Sequence, residues 1–174
     1  SIPILGPIFF NQSMFTYITI ILLFLIHFSL FNTKWGLRTR MVGEHPKAAE
    51  TLGINVYRTR YVAVILSGMV AGLAGSYLTL GAVGRFNRLM TSGRGFIALA
   101  AMIFGNWKPF GALGASLIFG FTSSLESKLS ILQVGIPSQI LLMAPYLVTM
   151  IVLVGVVGKV TPPAADGQTY TGKE

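Results

Sequence analysis

The chain has 174 residues, of which 53% are hydrophobic and only 10% are charged, and it contains no cysteine. Soluble domains usually carry about 25% charged residues, so this composition excludes an ordinary soluble protein. There are 13 basic and five acidic residues, a formal net charge of +8. The chain also contains long apolar runs. The excess of basic residues is therefore better explained by the positive-inside bias of an integral membrane protein than by a nucleic-acid-binding surface. The lack of cysteine excludes disulfides and thiolate metal sites within these residues.

Charged residues are confined to a few places, and the stretches between them are long and apolar. A hydrocarbon core about 30 Å thick requires roughly 20 apolar residues in a helix. The sequence predicts three such spans, at 15–33, 61–84 and 136–157. Two shorter apolar pieces, 95–104 and 110–125, complete the prediction of an all-α integral membrane protein built as a bundle of transmembrane helices.

The two shorter pieces are separated by Gly105-Asn106-Trp107-Lys108-Pro109. About ten residues give only roughly 15 Å of helix, so 95–104 is predicted to be a half-helix. With 110–125 it forms either a re-entrant pair or one broken span, and the length of the second piece favours the re-entrant pair. Irregular backbone at membrane depth persists only where it is buried in protein or lines a cavity. The break is therefore the predicted solute pathway, with Phe96, Phe104, Asn106 and Trp107 as candidate contacts.

Basic residues set the predicted orientation. Residues 34–60 hold six basic and two acidic side chains, so the positive-inside rule places this loop in the cytoplasm. The sequence begins at Ser1 with no basic region before the first apolar stretch. We therefore expect 1–158 to be the C-terminal part of one transmembrane domain of a longer protein, and 159–174 to be a disordered cytoplasmic tail.

The most informative part of the loop reads Gly43-Glu44-His45-Pro46-Lys47-Ala48-Ala49-Glu50-Thr51-Leu52-Gly53-Ile54. Pro46 suits the first turn of a helix, and Gly53 suits a C-terminal cap. The predicted helix between them has about seven residues and cannot persist alone in water. It must dock on another element or serve as a connector at the membrane surface.

Ala48-Ala49, followed after three residues by Gly53, resembles the coupling-helix motif of ABC importer permeases, whose usual form is Glu-Ala-Ala, three residues, Gly; Lys47 stands here in place of the leading Glu. Wider stretches resemble the permeases for simple sugars and nucleosides, and within that group the nucleoside permeases that work with a lipoprotein-type binding protein. These stretches are Gly36-Leu37-Arg38, Gly43-Glu44-His45-Pro46-Lys47-Ala48-Ala49, Gly93-Arg94-Gly95-Phe96-Ile97-Ala98-Leu99-Ala100 and Phe104-Gly105-Asn106-Trp107-Lys108-Pro109. The resemblance covers about residues 35–157.

The resemblance implies a transport subunit rather than an enzyme. A coupling helix at 46–54 would dock on a separate cytoplasmic ATPase, which binds ATP and Mg, since this sequence has no P-loop and no cofactor or metal motif of its own. The residues implied for that contact are Pro46, Lys47, Ala48, Ala49, Glu50, Leu52, Gly53 and Ile54. Further implied partners are a second permease subunit, identical or different, and an extracytoplasmic solute-binding protein, for which Arg85, Arg88 and Arg94 are candidate contacts. The expected solute is a nucleoside or simple sugar, and the expected location is the bacterial cell membrane, crossed several times.

Other classes of protein remain open at this point. An ion-coupled secondary transporter or a channel subunit would need no ATPase. Every acidic residue lies outside the predicted spans, which argues against coupling to protons but not against coupling to sodium ions. His27 is the only Asp, Glu, His, Lys or Arg residue in the first span and is the candidate for a proton relay. A non-transporting membrane subunit is a further alternative. A membrane enzyme is disfavoured because the sequence shows no carboxylate pair, metal-ligand cluster or nucleophile–base set.

Overall fold

The computed structural model describes residues 12–88, 90–91, 93–131, 143, 147, 150–151 and 160–172. Helices are the regular secondary structure of these residues, and turns and irregular stretches connect them. No strand occurs in those residues, and the predicted all-α class is confirmed for them. The chain divides into two units, one formed by Ser1–Ser92 with Pro163–Glu174 and the other by Gly93–Pro162.

The described part of the first unit contains four α-helices, the last of which continues into a π-helix. In chain order these are α1 (Met14–Asn32), α2 (Lys34–Glu44), α3 (Pro46–Thr51), α4 (Val56–Ser76) and the π-helix Tyr77–Val83. The ring of Phe15, at the start of α1, lies 5.7 Å from the ring of Tyr77, so the start of α1 contacts the chain just beyond the end of α4. Both are long and apolar enough to cross a membrane, and their apolar windows are not buried within the chain.

The predicted spans at 15–33 and 61–84 fall on α1 and on α4 with its π-helix. α4 begins five residues before the apolar run because the side chain of Asn55 caps it, accepting a hydrogen bond from the backbone N–H of Arg58 at 2.9 Å. The predicted span at 136–157 lies outside the described residues, apart from four exposed helical positions: Met143, Leu147, Met150 and Ile151.

Thr33 ends α1 and begins α2. Its hydroxyl donates to the carbonyl oxygen of Ser29 at 2.5 Å and accepts from the backbone N–H of Gly36 at 3.1 Å. Gly36 is buried, and a Cβ atom at this position would collide with the carbonyl oxygens of Ser29 and Leu30. The break between the helices therefore depends on a capping hydroxyl and on a glycine three residues later.

A small apolar core holds the three helices α2, α3 and α4 together. Its buried members are Val42, Ala49 and Val56, one from each helix, with Tyr170 packed against them. Tyr170 belongs to residues 163–172, hereafter the C-terminal segment. A disordered tail is predicted from 159 onwards, whereas the structure places the C-terminal segment against α2, α3 and α4. A single aromatic ring and a set of backbone hydrogen bonds provide the contacts that composition does not reveal.

The second unit is a helical hairpin in its described part. It consists of α5 (Arg94–Phe104) and α6 (Pro109–Ile131) joined by residues 105–108. The rings of Phe104 and Phe119 stack with centroids 5.8 Å apart, and the small side chains Ala101 and Ala115 are buried. The predicted half-helix coincides with α5, but α6 continues six residues beyond the predicted end at 125. Polar residues end the apolar run there without ending the helix.

Candidate functional site

A short helix, α3, occupies the stretch that resembles a coupling helix. Pro46 is its first residue, where a missing N–H costs nothing. The helix ends in a Schellman motif: the N–H of Gly53 donates to the carbonyl oxygen of Glu50 at 2.9 Å, and the N–H of Ile54 donates to that of Ala49 at 3.1 Å. Gly53 has a φ of +76°, a left-handed conformation that glycine adopts without strain. Glycine is favoured at position 53 because of its backbone conformation and not because of a contact with a partner.

α3 presents one face to the chain's own core and the other to the outside. Ala49 is completely buried, so its side chain contacts this chain and not a partner. Leu52 is 68% exposed, so an apolar side chain at the end of α3 faces the outside. Of the other predicted contact residues, Lys47, Ala48 and Gly53 are exposed, and Pro46, Glu50 and Ile54 are half-buried.

The C-terminal segment binds α3 through Tyr170. The phenol hydroxyl donates a hydrogen bond of 2.5 Å to the carboxylate of Glu50. This bond to a charged acceptor, together with desolvation and the negative charge nearby, raises the pKa of Tyr170 to about 12. The hydroxyl is therefore a donor at every physiological pH.

The same segment also contacts the start of α4. Tyr57 donates from its hydroxyl to the carbonyl oxygen of Tyr170 at 3.3 Å, and the two rings meet edge to face at 5.3 Å. Arg60 donates to the carbonyl oxygen of Gln168 at 3.0 Å, and its guanidinium lies 5.7 Å from the centre of the Tyr170 ring. Two helices are thus tied to one short stretch of chain.

The turn between α5 and α6 contains two non-glycine residues with positive φ, Asn106 at 51° and Trp107 at 58°. They close α5 with the hydrogen bonds of a second Schellman motif, from Asn106 N–H to Ile103 at 2.9 Å and from Trp107 N–H to Met102 at 3.1 Å. The side-chain oxygen of Asn106 accepts from the backbone N–H of Thr161 at 3.2 Å. The predicted break is therefore a defined turn.

Two glycines allow the hairpin to close tightly. A Cβ atom on Gly105 would collide with the backbone of Gly111 and Ala112, and one on Gly111 would collide with the carbonyl of Gly105. Small residues of this kind let helices approach each other in lipid.

The hairpin turn brings together three of the four predicted pathway residues. Phe104, Asn106 and Trp107 lie at or beside it, whereas Phe96 lies about 12 Å away along α5, eight residues at 1.5 Å each, and is 82% exposed. The indole N–H of Trp107 is buried and donates to no group in the part of the chain that the structure describes. A buried donor without an acceptor costs about 1–3 kcal/mol, so an acceptor from outside these residues would be stabilising.

Comparison with known proteins gives the chain its family. Residues 4–157 match a family profile described as the permease component of the branched-chain amino acid transport system. The chain belongs to this permease family. The resemblance predicted from its motifs is confirmed, and the match extends further towards the N-terminus than those motifs do.

Named relatives of the permease are transport proteins. It is 48% identical to the guanosine ABC transporter permease protein NupQ of Bacillus subtilis, over 97% of this chain and 54% of the relative. It is 45% identical to the nucleoside ABC transporter permease protein NupC of Lactococcus lactis, over 98% of this chain and 55% of the relative. The putative glucose ABC transporter permease protein TsgC13 of Haloferax volcanii is 36% identical over 72% of this chain and 38% of that protein. The chain spans about half the length of the first two relatives. No solved structure gives a significant match.

Membership of this family makes the permease a membrane protein, which accounts for the exposed apolar surfaces of α1 and α4. His27 of α1 is half-buried and stacks on Phe31 at 4.8 Å. The three arginines predicted to contact a binding protein, Arg85, Arg88 and Arg94, are all exposed. No group of three or more potential metal ligands occurs within the described residues.

Sequence reasoning missed the three residues that join the C-terminal segment to α3 and α4: Tyr57, Arg60 and Tyr170. Tyr57 and Arg60 are three residues apart at the start of α4, and such neighbours lie on one face of a helix. That spacing was the available signal for a docking surface. No signal in the sequence placed Tyr170 against it, because the two parts are more than 100 residues apart.

Proposed function

We propose that the permease is a membrane subunit of an ATP-driven importer that moves a nucleoside inward, and that α3 couples it to a separate ATPase, which binds ATP and Mg. The observation that carries the proposal is α3 itself. Its inner face is fixed by the buried Ala49, its outer face exposes Leu52, and four residues later the chain enters α4. A force applied to the exposed face therefore reaches a helix of membrane-spanning length.

The nucleoside assignment is supported by the two relatives named as guanosine and nucleoside permeases. The likeness to a putative glucose permease extends the class of proposed solutes to simple sugars. A nucleoside itself contains a sugar, ribose. On this proposal the protein is a transport subunit and not an enzyme.

In the proposed topology, the chain crosses the bacterial cell membrane several times, and residues 34–60 lie in the cytoplasm. The 11 residues of α5 measure about 16 Å and the 23 residues of α6 about 34 Å. The first is half a bilayer and the second a full one. The length of α5 supports a half-helix that cannot cross the membrane alone, and α6 is more than long enough to return the chain to the side from which α5 enters, as the proposed re-entrant pair requires.

The proposed solute pathway passes the turn between α5 and α6. It is supported by the buried indole N–H of Trp107, which has the chemistry to donate to a base or ribose oxygen, and by the adjacent amide of Asn106. Trp107→Phe keeps an aromatic ring and removes the donor. We expect it to raise the KM for guanosine uptake about tenfold, and an unchanged KM would exclude the indole from the pathway.

The proposed partners are a second permease subunit and an extracytoplasmic binding protein. The exposed apolar faces of α1 and α4 support the first. The exposed Arg85, Arg88 and Arg94 support the second as contacts for acidic side chains. Arg88→Glu is expected to raise the binding-protein concentration needed for half-maximal uptake, and an unchanged concentration would remove Arg88 from that interface.

Co-purification tests the coupling role. The full-length permease is expressed with the proposed partner ATPase and purified through a tag on the permease, as wild type, Leu52→Glu and Leu37→Glu. Leu37 lies on α2 in the same loop and is 53% exposed, against 68% for Leu52, so both changes place one acid on an exposed leucine. We expect the ATPase to be lost with Leu52→Glu and kept with Leu37→Glu.

Leu52 is the better test position because a bulky residue at Gly53 would also strain the left-handed backbone there. Retention of the ATPase by Leu52→Glu would contradict docking on α3. If wild type binds no ATPase but still takes up guanosine without ATP, the permease is an ion-coupled transporter or channel instead.

A further inference from the structure

We infer that the C-terminal segment positions the coupling helix: it clamps α3 to α4 and so sets how much solute moves for each ATP hydrolysed. This inference rests on the proposed function and gives the C-terminal segment a role within it. Tyr170 is the central positioning residue, acting through Glu50.

The segment touches all three helices of the loop. It meets the end of α2 through a hydrogen bond of 3.0 Å from the N–H of Ala165 to the carbonyl oxygen of Gly43. It meets α3 at Glu50 and the start of α4 at Tyr57 and Arg60. The Tyr57 hydroxyl closes the arrangement by accepting from the N–H of Gly172 at 3.1 Å.

α3 depends on such support. A helix of six residues is far below the length that is stable alone in water, and its own core contacts come mainly from one methyl group, that of Ala49. The Tyr170 ring packs against that core while its hydroxyl holds Glu50. One side chain thus fixes both the position and the rotation of α3.

The C-terminal segment is itself ordered by local hydrogen bonds. Asp166 N–H donates to the carbonyl oxygen of Pro163 at 3.0 Å, and Gln168 donates from its backbone to Ala165 at 3.3 Å and from its side chain to Ala164 at 3.1 Å. Gly167 supplies a φ of +69°, as such a turn requires. A segment folded on itself resists displacement better than an extended one, since less backbone entropy is lost when it docks.

The C-terminal segment and an ATPase would use different faces of α3. Glu50 points to Tyr170 and Ala49 is buried, whereas Lys47, Ala48 and Leu52 remain exposed. Without the segment, α3 is held to α4 only by the linking residues 52–55 and by the small contact of Ala49 with Val42 and Val56, and it can rotate when the ATPase moves. ATPase binding then survives, but less of the movement reaches α4.

The test uses the complete importer, with full-length permease, in proteoliposomes that contain the purified ATPase and binding protein. Guanosine uptake and ATP hydrolysis are measured together for wild type, Tyr170→Phe, Tyr170→Ala and Glu50→Gln. We expect uptake per ATP to fall about fivefold in Tyr170→Phe and further in Tyr170→Ala, with unchanged ATPase co-purification. Glu50→Gln keeps an acceptor oxygen but removes its charge, so its uptake per ATP should lie between those of wild type and Tyr170→Phe.

Tyr61→Phe is the matched control, because Tyr61 lies one turn beyond Tyr57 on α4 and is exposed; it should leave uptake per ATP unchanged. A wild-type ratio in both Tyr170 variants would overturn the inference, and so would loss of the ATPase from Tyr170→Phe, since the segment would then act on docking. Failure of the proposed function is recognised separately, by Leu52→Glu retaining the ATPase.

Discussion

The hydroxyl of Tyr170 lies within 2.5 Å of a carboxylate oxygen of Glu50, so deprotonation would place two negative charges side by side. This is the physical reason that the pKa of Tyr170 is raised to about 12 from its usual 10.0. The hydrogen bond consequently contributes its full stabilisation below pH 10. It is lost as the pH rises through 12.

A spectroscopic titration checks this at the level of the single residue. We expect the difference in phenolate absorbance between wild type and Tyr170→Phe to show one group ionising near pH 12. In Glu50→Gln the same group should titrate at lower pH, because the charged acceptor is gone. If the pKa of Tyr170 were the same in wild type and Glu50→Gln, the two side chains would not be bonded in solution.

Gly53 and Asn106 occupy equivalent positions at the ends of α3 and α5. Both lie in the left-handed region just beyond a helix, with φ values of +76° and +51°. Glycine is the common choice there and asparagine the next, so the end of α3 is predictable from the sequence. The end of α5 is predictable only as a break, since asparagine occurs in many other settings.

At the level of the helix, the hairpin of α5 and α6 depends on Gly105 and Gly111. We expect Gly111→Ala to destabilise the purified permease by about 1–3 kcal/mol, because its methyl group meets the carbonyl of Gly105. Thermal unfolding in detergent measures the effect. Gly114→Ala is the control on the same helix, since a Cβ atom there meets nothing within 4 Å. Equal stability of the two variants would mean that the hairpin is open.

The helices that sequence reasoning finds are those with a local cause. The apolar runs predict α1 and much of α4, and Pro46 with Gly53 brackets α3. The early start of α4 and the late end of α6 are missed because capping and continuation follow hydrogen bonds and not hydropathy. The docking of Tyr170 on Glu50 is missed because it joins positions 120 residues apart. Composition carries no information about such a pair.

At the level of the whole chain, charge distribution and surface chemistry agree. The loop 34–60 carries six basic residues and holds the small core, whereas α1 and α4 expose apolar surface along their length. An apolar helix without internal burial is stable only in lipid or against other apolar helices. The described part of the first unit therefore combines a polar loop that folds on itself with two apolar helices that require a membrane or partner helices.

This division predicts which end faces the cytoplasm. The 34–60 loop has more basic residues than the stretch after α4, although Arg85 and Arg88 make that stretch basic too, so the orientation follows from a difference between the two sides. The 174 residues contain no cysteine, and single cysteines placed at the exposed Ala48 and Phe86 can report it. In sealed right-side-out vesicles, a membrane-impermeant maleimide should label Phe86→Cys at once and Ala48→Cys only after permeabilisation. Labelling of Ala48→Cys in sealed vesicles would place α3 outside the cell, where no cytoplasmic ATPase can reach it, and would exclude the coupling role proposed for it.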